Sequence, residues 1–228
     1  MAIIFDIETV GFELENLSES QQEFLLRYAE KENNTELREQ KISDTERYLS
    51  LYPFTAKLLS IGMLNSETNG SFILYNSDKT EKWKVDDKEI TYQGLSEKAM
   101  LEIFWKFVVK TDKVVTFNGR NFDIPFLMMR SAMLKIKPTI NLINNRYNIT
   151  RHIDLLDQFT FYGLTRKFNL DFYCHAFGIK SPKSKGITGM EVKELYKANK
   201  IKDIAVYCGE DVKATYELYK IWEAFLNV

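Results

Sequence analysis

The chain opens on Met-Ala-Ile-Ile-Phe-Asp-Ile-Glu-Thr-Val-Gly, residues 1–11, and no other stretch constrains the fold as strongly. Ala2, Ile3, Ile4 and Phe5 are the apolar run of a buried strand. Asp6 and Glu8 interrupt it, although acids are poor strand formers and are seldom buried without a partner. Side chains of a strand alternate between faces, so Asp6 and Glu8 point the same way. Two carboxylates on one face repel each other unless a positive charge sits between them. A divalent cation, which takes oxygen ligands, meets that need.

Bulk properties narrow the setting. The chain has 228 residues, 45% hydrophobic and 28% charged, which fits one large or two small globular domains with a substantial core. No apolar run approaches the roughly 20 residues of a membrane span. The first residues lack a basic region, so no secretory signal is expected. Cys174 and Cys208 are the only cysteines, which argues against a disulfide framework and for a reducing cytoplasm. A formal net charge of -1 gives no global basic field, so binding of a polyanion has to be local or carried by metal.

Periodicity divides the chain further. Residues 12–56 are polar, charge-dense and helix-prone. Ser18–Gln21 and Ser43–Glu46 both match a capping box, Asn33-Asn34 separates them, and a helical hairpin is predicted as an excursion from the core. Residues 56–64 and 71–75 read as strands joined by a turn, 96–110 as a helix, 113–117 as a strand and 121–134 as a helix with Pro125 in its first turn. Residues 151–155 read as a short strand, and 156–177, 189–198 and 201–226 as helices, with a Gly/Pro/Lys/Ser loop over 178–189. This order predicts an α/β or α+β sheet with packed helices.

Two later features join the acid pair. Asp123 stands where the strand ending at Phe117 turns through Asn118-Gly119 into a helix. Alone it reads as an ordinary acid at a helix N-terminus. Tyr207 and Asp211 are four residues apart and share a face of the final helix, which alone reads as a core tyrosine and a surface acid. Together, FDIET, FNGRNFDIPFL and YCGEDV resemble the three motifs of DEDD-type 3′–5′ exonucleases of the tyrosine subclass. The likeness is to the proofreading exonuclease domain of B-family DNA polymerases and its free-standing relatives. It spans residues 1 to about 220, with 12–56 outside the pattern.

The resemblance implies a ribonuclease-H-like α/β fold over 1–228: a mixed five-stranded sheet flanked by helices, with a helical insertion after the first strand. It implies a 3′–5′ exonuclease acting on single-stranded DNA or RNA 3′ ends with two divalent ions, Mg²⁺ or Mn²⁺. Asp6 would bridge the ions, Glu8 and Asp211 would hold the one that activates water, and Asp123 would reach the second largely through waters. Tyr207 would orient the water, since a phenol with a pKa of about 10 is a poor base at neutral pH. Asn118, Thr9 and Phe122 are the candidate contacts to the terminal nucleotide, with Phe122 and Phe126 also readable as core. His152 and His175 are assigned to structure, and Asp154 to a helix cap with an outer role at the site left open. Lys167, Lys183 and Lys185 are equivalent candidates for an assisting lysine. The 12–56 excursion is the candidate surface for a protein partner. Competing readings are an exoribonuclease, a phosphatase of small esters, and a non-catalytic binding module on the same fold.

Overall fold

The computed structural model describes residues 1–84, 90–181 and 189–228. These residues build a mixed sheet of seven strands: β1 (Ala2–Gly11), β2 (Ala56–Asn65), β3 (Ser71–Asn76), β4 (Glu81–Lys84), β5 (Ile90–Leu95), β6 (Lys113–Thr116) and β7 (His152–Asp154). The strand order is β4-β5-β3-β2-β1-β6-β7. β1 is antiparallel to β2 and parallel to β6, which is parallel to β7. The sheet has two strands more than expected. β4 reads Glu-Lys-Trp-Lys and pairs only with β5, so its charges guard an edge while Trp83 stacks on Tyr92 at 3.9 Å.

β1 obeys strict alternation. Ile3, Phe5 and Ile7 enter one apolar cluster, with Phe104 and Trp105 of α3 (Glu97–Val108) and with Ile124, Phe126 and Leu127 of α4 (Asp123–Met133). Ala2 and Ile4 enter the opposite cluster, with Val212, Leu218 and Trp222 of α8 (Ile201–Phe225). Asp6 and Glu8 continue the second series and therefore lie on the α8 face. A bulge between Glu8 and Thr9 breaks the β1–β2 register where the acid pair ends.

α8 sits unusually close to the sheet. A Cβ on Gly62 of β2 would lie 2.7 Å from Val212 Cγ2 and 3.0 Å from Cys208 Sγ, so only glycine admits the helix at this depth. The Cys208 thiol is 3.6 Å from the Asp6 carbonyl oxygen. Glycine at this one position thereby lets the Tyr207–Asp211 turn of α8 approach β1.

The excursion is a helical pair, as expected, in α1 (Glu19–Leu26) and α2 (Thr35–Tyr48). Ser18 and Gln21 form the first capping box. The second does not start a helix: Ser43 and Glu46 lie inside α2, which begins after Asn34, whose side chain accepts the Leu37 N–H at 3.1 Å. Neither helix buries a residue against the body, and the excursion is anchored instead by Leu14, Leu17 and Leu49. At its far end Arg130 donates to the Pro53 carbonyl and forms a fork with Glu97, both bonds 2.7 Å. A buried pair of this kind is costly to break from one side because the other charge is left alone.

The predicted 156–177 helix is two: α5 (Leu155–Phe159) and α6 (Leu170–Ala176). Phe161, Tyr162 and Gly163 between them take positive φ values, which end a helix. α7 (Gly189–Lys197) and α8 match expectation. Among the described residues no helix is long and apolar enough to cross a membrane.

Candidate active site

Asp6 and Glu8 from β1 meet Asp211 from α8. One ligand oxygen of each lies within 4.8 Å of the others. Burial, then the charges of Asp123, Asp211 and Glu8, hold the Asp6 carboxyl well above the usual carboxylate range. Burial, Asp211 and Asp123 do the same to Glu8. A donor set of carboxylate oxygens, crowded until protonation is favoured, fits a hard divalent cation. These residues can therefore hold such an ion.

Asp123 joins the cluster from the other side of β1. It is 2% exposed, and its Oδ1 accepts the Ile7 N–H at 3.1 Å, between the two acids of the strand. Burial chiefly, with Asp154 and Asp211 adding, pushes its carboxyl up to about 7, against the Ile7 hydrogen bond, which lowers it. All four acids thus sense one another.

The turn that delivers Asp123 is held from beneath. Asn118 has φ 65° and Gly119 follows. A Cβ on Gly119 would lie 2.4 Å from Thr116 Oγ1, so this turn also requires glycine. Asp154, at the end of β7, accepts the N–H groups of Asn118 and Arg120, each at 2.9 Å, and caps α5 through Leu156 N–H at 3.0 Å. The expected cap is present, and Asp154 also holds the turn that leads to Asp123. Asp157 supports the same turn by pairing with Arg120 at 3.5 Å and Arg146 at 2.5 Å.

Tyr207 lies one helical turn before Asp211 and hydrogen-bonds it. Burial, then the charges of Asp211 and Glu8, raise its phenol far above the ordinary value, so the hydroxyl stays protonated. Asp6, Tyr207 and Asp211 line a cleft of about 170 Å³ with Phe117, Asn169, Leu170 and Asp171. These last residues were not anticipated. Asn169 caps α6 by accepting the Phe172 N–H at 2.9 Å. The signal was an Asn directly before an apolar helical run.

Of the remaining candidates, none of the described ones lines this cleft, although Asn118 adjoins Phe117, which does. The Thr9 hydroxyl donates to the Ser50 carbonyl at 2.7 Å, so the proton expected for a 3′ end is already given to the excursion. Thr9 also lines a separate cavity of about 660 Å³ between the end of β1, α2 and α7. Phe122 is half-buried, 5.8 Å from the ring of Phe126, and both pack on the core. Asn118 is half-buried and accepts a bond from the Asn121 amide at 2.9 Å. His152 is buried and shares a 2.8 Å hydrogen bond with Thr116, while His175 is exposed 3.5 Å from Asp171. Lys167 is exposed; Lys183 and Lys185 lie outside the described residues.

An α/β sheet with acids on an interior strand, β1, and on the helix packed over it is consistent with a ribonuclease-H-like fold. A family model described as a predicted 3′–5′ exonuclease related to the exonuclease domain of PolB matches residues 57–226, and the chain belongs to that family. The match begins after β1, so Asp6 and Glu8 are tied to the site by the geometry above. Among its relatives, the chain is 30% identical over 160 residues to a DNA polymerase of Desulfurococcus sp. (strain Tok), covering 60% of this chain and 20% of that one. It is 29% identical over 162 residues to a DNA polymerase of Pyrococcus glycovorans, covering 61% and 20%. It therefore spans about a fifth of the length of these relatives. The solved structure of the family B DNA polymerase from the hyperthermophilic archaeon Pyrobaculum calidifontis superposes with a TM-score of 0.62 at 16% identity, over 99% of this chain and 25% of that one, which establishes the shared fold. The enzyme class that follows from the family is that of 3′–5′ exonucleases.

Proposed function

We propose that residues 1–228 act as one exonuclease domain that removes nucleotides from the 3′ ends of single-stranded nucleic acid, DNA in the first instance, using two divalent ions, Mg²⁺ or Mn²⁺. The observation that carries this reading is the meeting of Asp6, Glu8 and Asp211 within 4.8 Å, beside a cleft lined by Asp6, Asp211 and Tyr207. DNA is favoured because the relatives at 30% and 29% identity are DNA polymerases.

Asp6, Glu8, Asp123 and Asp211 would hold the ions. When bound, the ions supply Lewis-acid stabilisation of charge on the attacking and leaving oxygens and acidify water. The remaining work belongs to the chain. The Tyr207 hydroxyl stays protonated, so it orients the attacking water by hydrogen bonding and does not take its proton. Its bond to Asp211 fixes the hydroxyl against the acid cluster. Asn118, held by Asp154 beneath its turn, offers its side chain to the terminal nucleotide.

The test uses 3′- and 5′-labelled DNA and RNA oligomers, single- and double-stranded, with Mn²⁺ or with chelator. The expected result is metal-dependent loss of single nucleotides from 3′ ends, fastest on single-stranded DNA. Faster cleavage of RNA would reassign the substrate. Metal binding with no cleavage of any strand would leave a binding module.

A further inference from the structure

The segment between α5 and the end of α6 places aromatic rings beside the cleft. Residues 160–176 contain five aromatic rings and two basic residues against one acid. Phe168 and Phe172 stack face to face, with ring centroids 4.0 Å apart and planes within 8°. Phe172 is 51% exposed, and the Arg166 guanidinium lies 5.3 Å from the Phe168 centroid. The two rings bracket Asn169, Leu170 and Asp171, which line the cleft with Asp6, Tyr207 and Asp211. They are also joined to it through rings: cleft-lining Phe117 meets Tyr173 edge-on at 5.6 Å, and Tyr173 meets Phe168 at 6.3 Å.

Water-exposed rings are costly when nothing covers them, and here they come with a cation and lead out of an acid-lined cleft. Proteins that hold single strands combine these parts: aromatic faces on which bases stack, and cations along the backbone. The excursion offers a larger cavity, yet it is a worse track. Residues 12–56 carry ten acids against five basic residues, and Glu46 and Glu194 stand in that cavity beside Arg47 and Lys193.

We propose that Phe168 and Phe172, with Arg166, form a stacking platform for a nucleobase just upstream of the 3′ end seated in the cleft. This rests on the exonuclease reading. The platform holds the strand by the face of a base, so it tolerates any sequence and requires a base to be present.

The test is a cycle between the platform and the base it holds. Wild type, Phe172→Leu and Phe168→Leu/Phe172→Leu are compared on single-stranded DNA oligomers in which one abasic site is walked through the six positions nearest the 3′ end. Leucine keeps apolar packing on Tyr173 but removes the π face, and thermal melting confirms that each variant is folded. On intact oligomers the double variant should raise KM about tenfold, the effect expected for one lost base stack. An abasic site at one position should cost wild type a similar factor and cost the double variant almost nothing. The preference of wild type for an oligomer over a dinucleotide should shrink by the same factor. A folded double variant with wild-type KM, or one that pays the full abasic penalty at every position, overturns the platform while leaving the nuclease reading intact. If wild type neither binds nor cleaves any strand, the nuclease reading falls and the platform falls with it.

Discussion

The Ile7 N–H donates to Asp123 Oδ1 at 3.1 Å, across 116 positions of sequence. This bond stitches the N-terminus of α4 to β1 between the two acids of the strand, so the backbone that presents Asp6 and Glu8 is fixed by a third acid. Asp123 therefore has two separable jobs, as acceptor and as charge. Asp123→Asn keeps an acceptor and removes the charge; Asp123→Ala removes both and leaves a buried N–H unpaired. Without metal at pH 7.5, the alanine variant should be less stable than the asparagine variant by about 1–3 kcal/mol. Both should lose metal-dependent cleavage. Urea unfolding checks the first point, and equal midpoints for the two variants would refute it.

Metal should act as a glue for the fold. Four carboxylates that raise one another's proton affinity are a strained cluster, and a cation binds it only when folded. At a hundredfold excess over Kd, Mn²⁺ should raise Tm by roughly 5–10 °C. Asp6→Asn should be at least as stable as wild type without metal and should lose most of that rise. A normal Mn²⁺ shift in Asp6→Asn would refute the part of Asp6 in holding metal.

Tyr207 and Asp211 are bonded neighbours with different work. Asp211→Asn should weaken Mn²⁺ binding and slow cleavage together. Tyr207→Phe keeps the ring in its packed place and should leave Mn²⁺ affinity near wild type. Its single-turnover rate should fall by on the order of a hundredfold, as for loss of one positioned hydrogen bond in the transition state. Calorimetric titration beside single-turnover cleavage separates the two, and a wild-type rate in Tyr207→Phe returns that residue to a packing role.

His152 supplies the pH dependence. Burial, then the nearby Arg120, lower its imidazole from 6.5 to about 3. The unfolded chain thus binds a proton that the folded chain refuses. The stability from keeping His152 neutral is fully present above pH 6.5 and is lost as the pH falls towards 3. Urea midpoints at pH 7.5, 5.5 and 4.5 should fall more steeply for wild type than for His152→Gln, because carboxylate titrations are common to both. Parallel curves would mean that His152 titrates freely in the folded protein.

What could be read from the chain, and what could not, follows the range of each signal. The acid pair on β1 and the Tyr207–Asp211 face are set by local periodicity, so their shared faces were legible. The capping-box pattern at Ser43 was not decisive, because helix formers flank it on both sides and Asn34 had already started α2. β4 escaped because Glu-Lys-Trp-Lys has one apolar residue and so no hydrophobic period, and β5 because Ile-Thr-Tyr-Gln-Gly-Leu is short and interrupted by Gly94. Asn169 and Asp171 escaped because 160–169 looked helical, and the positive φ at Phe161 and Tyr162 has no residue-level sign beyond Gly163. The depth of α8 over Gly62 is a property of packing and is visible only in three dimensions.

The acid cluster draws its members from β1, α4 and α8, so it is complete only when the last helix of the chain is in place. A fragment ending before α8 carries three of the acids but lacks Asp211 and Tyr207, which complete the cluster. Cutting nucleic acid is a hazardous ability for a half-folded chain to possess. Here it is withheld until the helix that seats over Gly62 has docked, which makes activity itself a report on completed folding and makes a nick that frees α8 an off-switch.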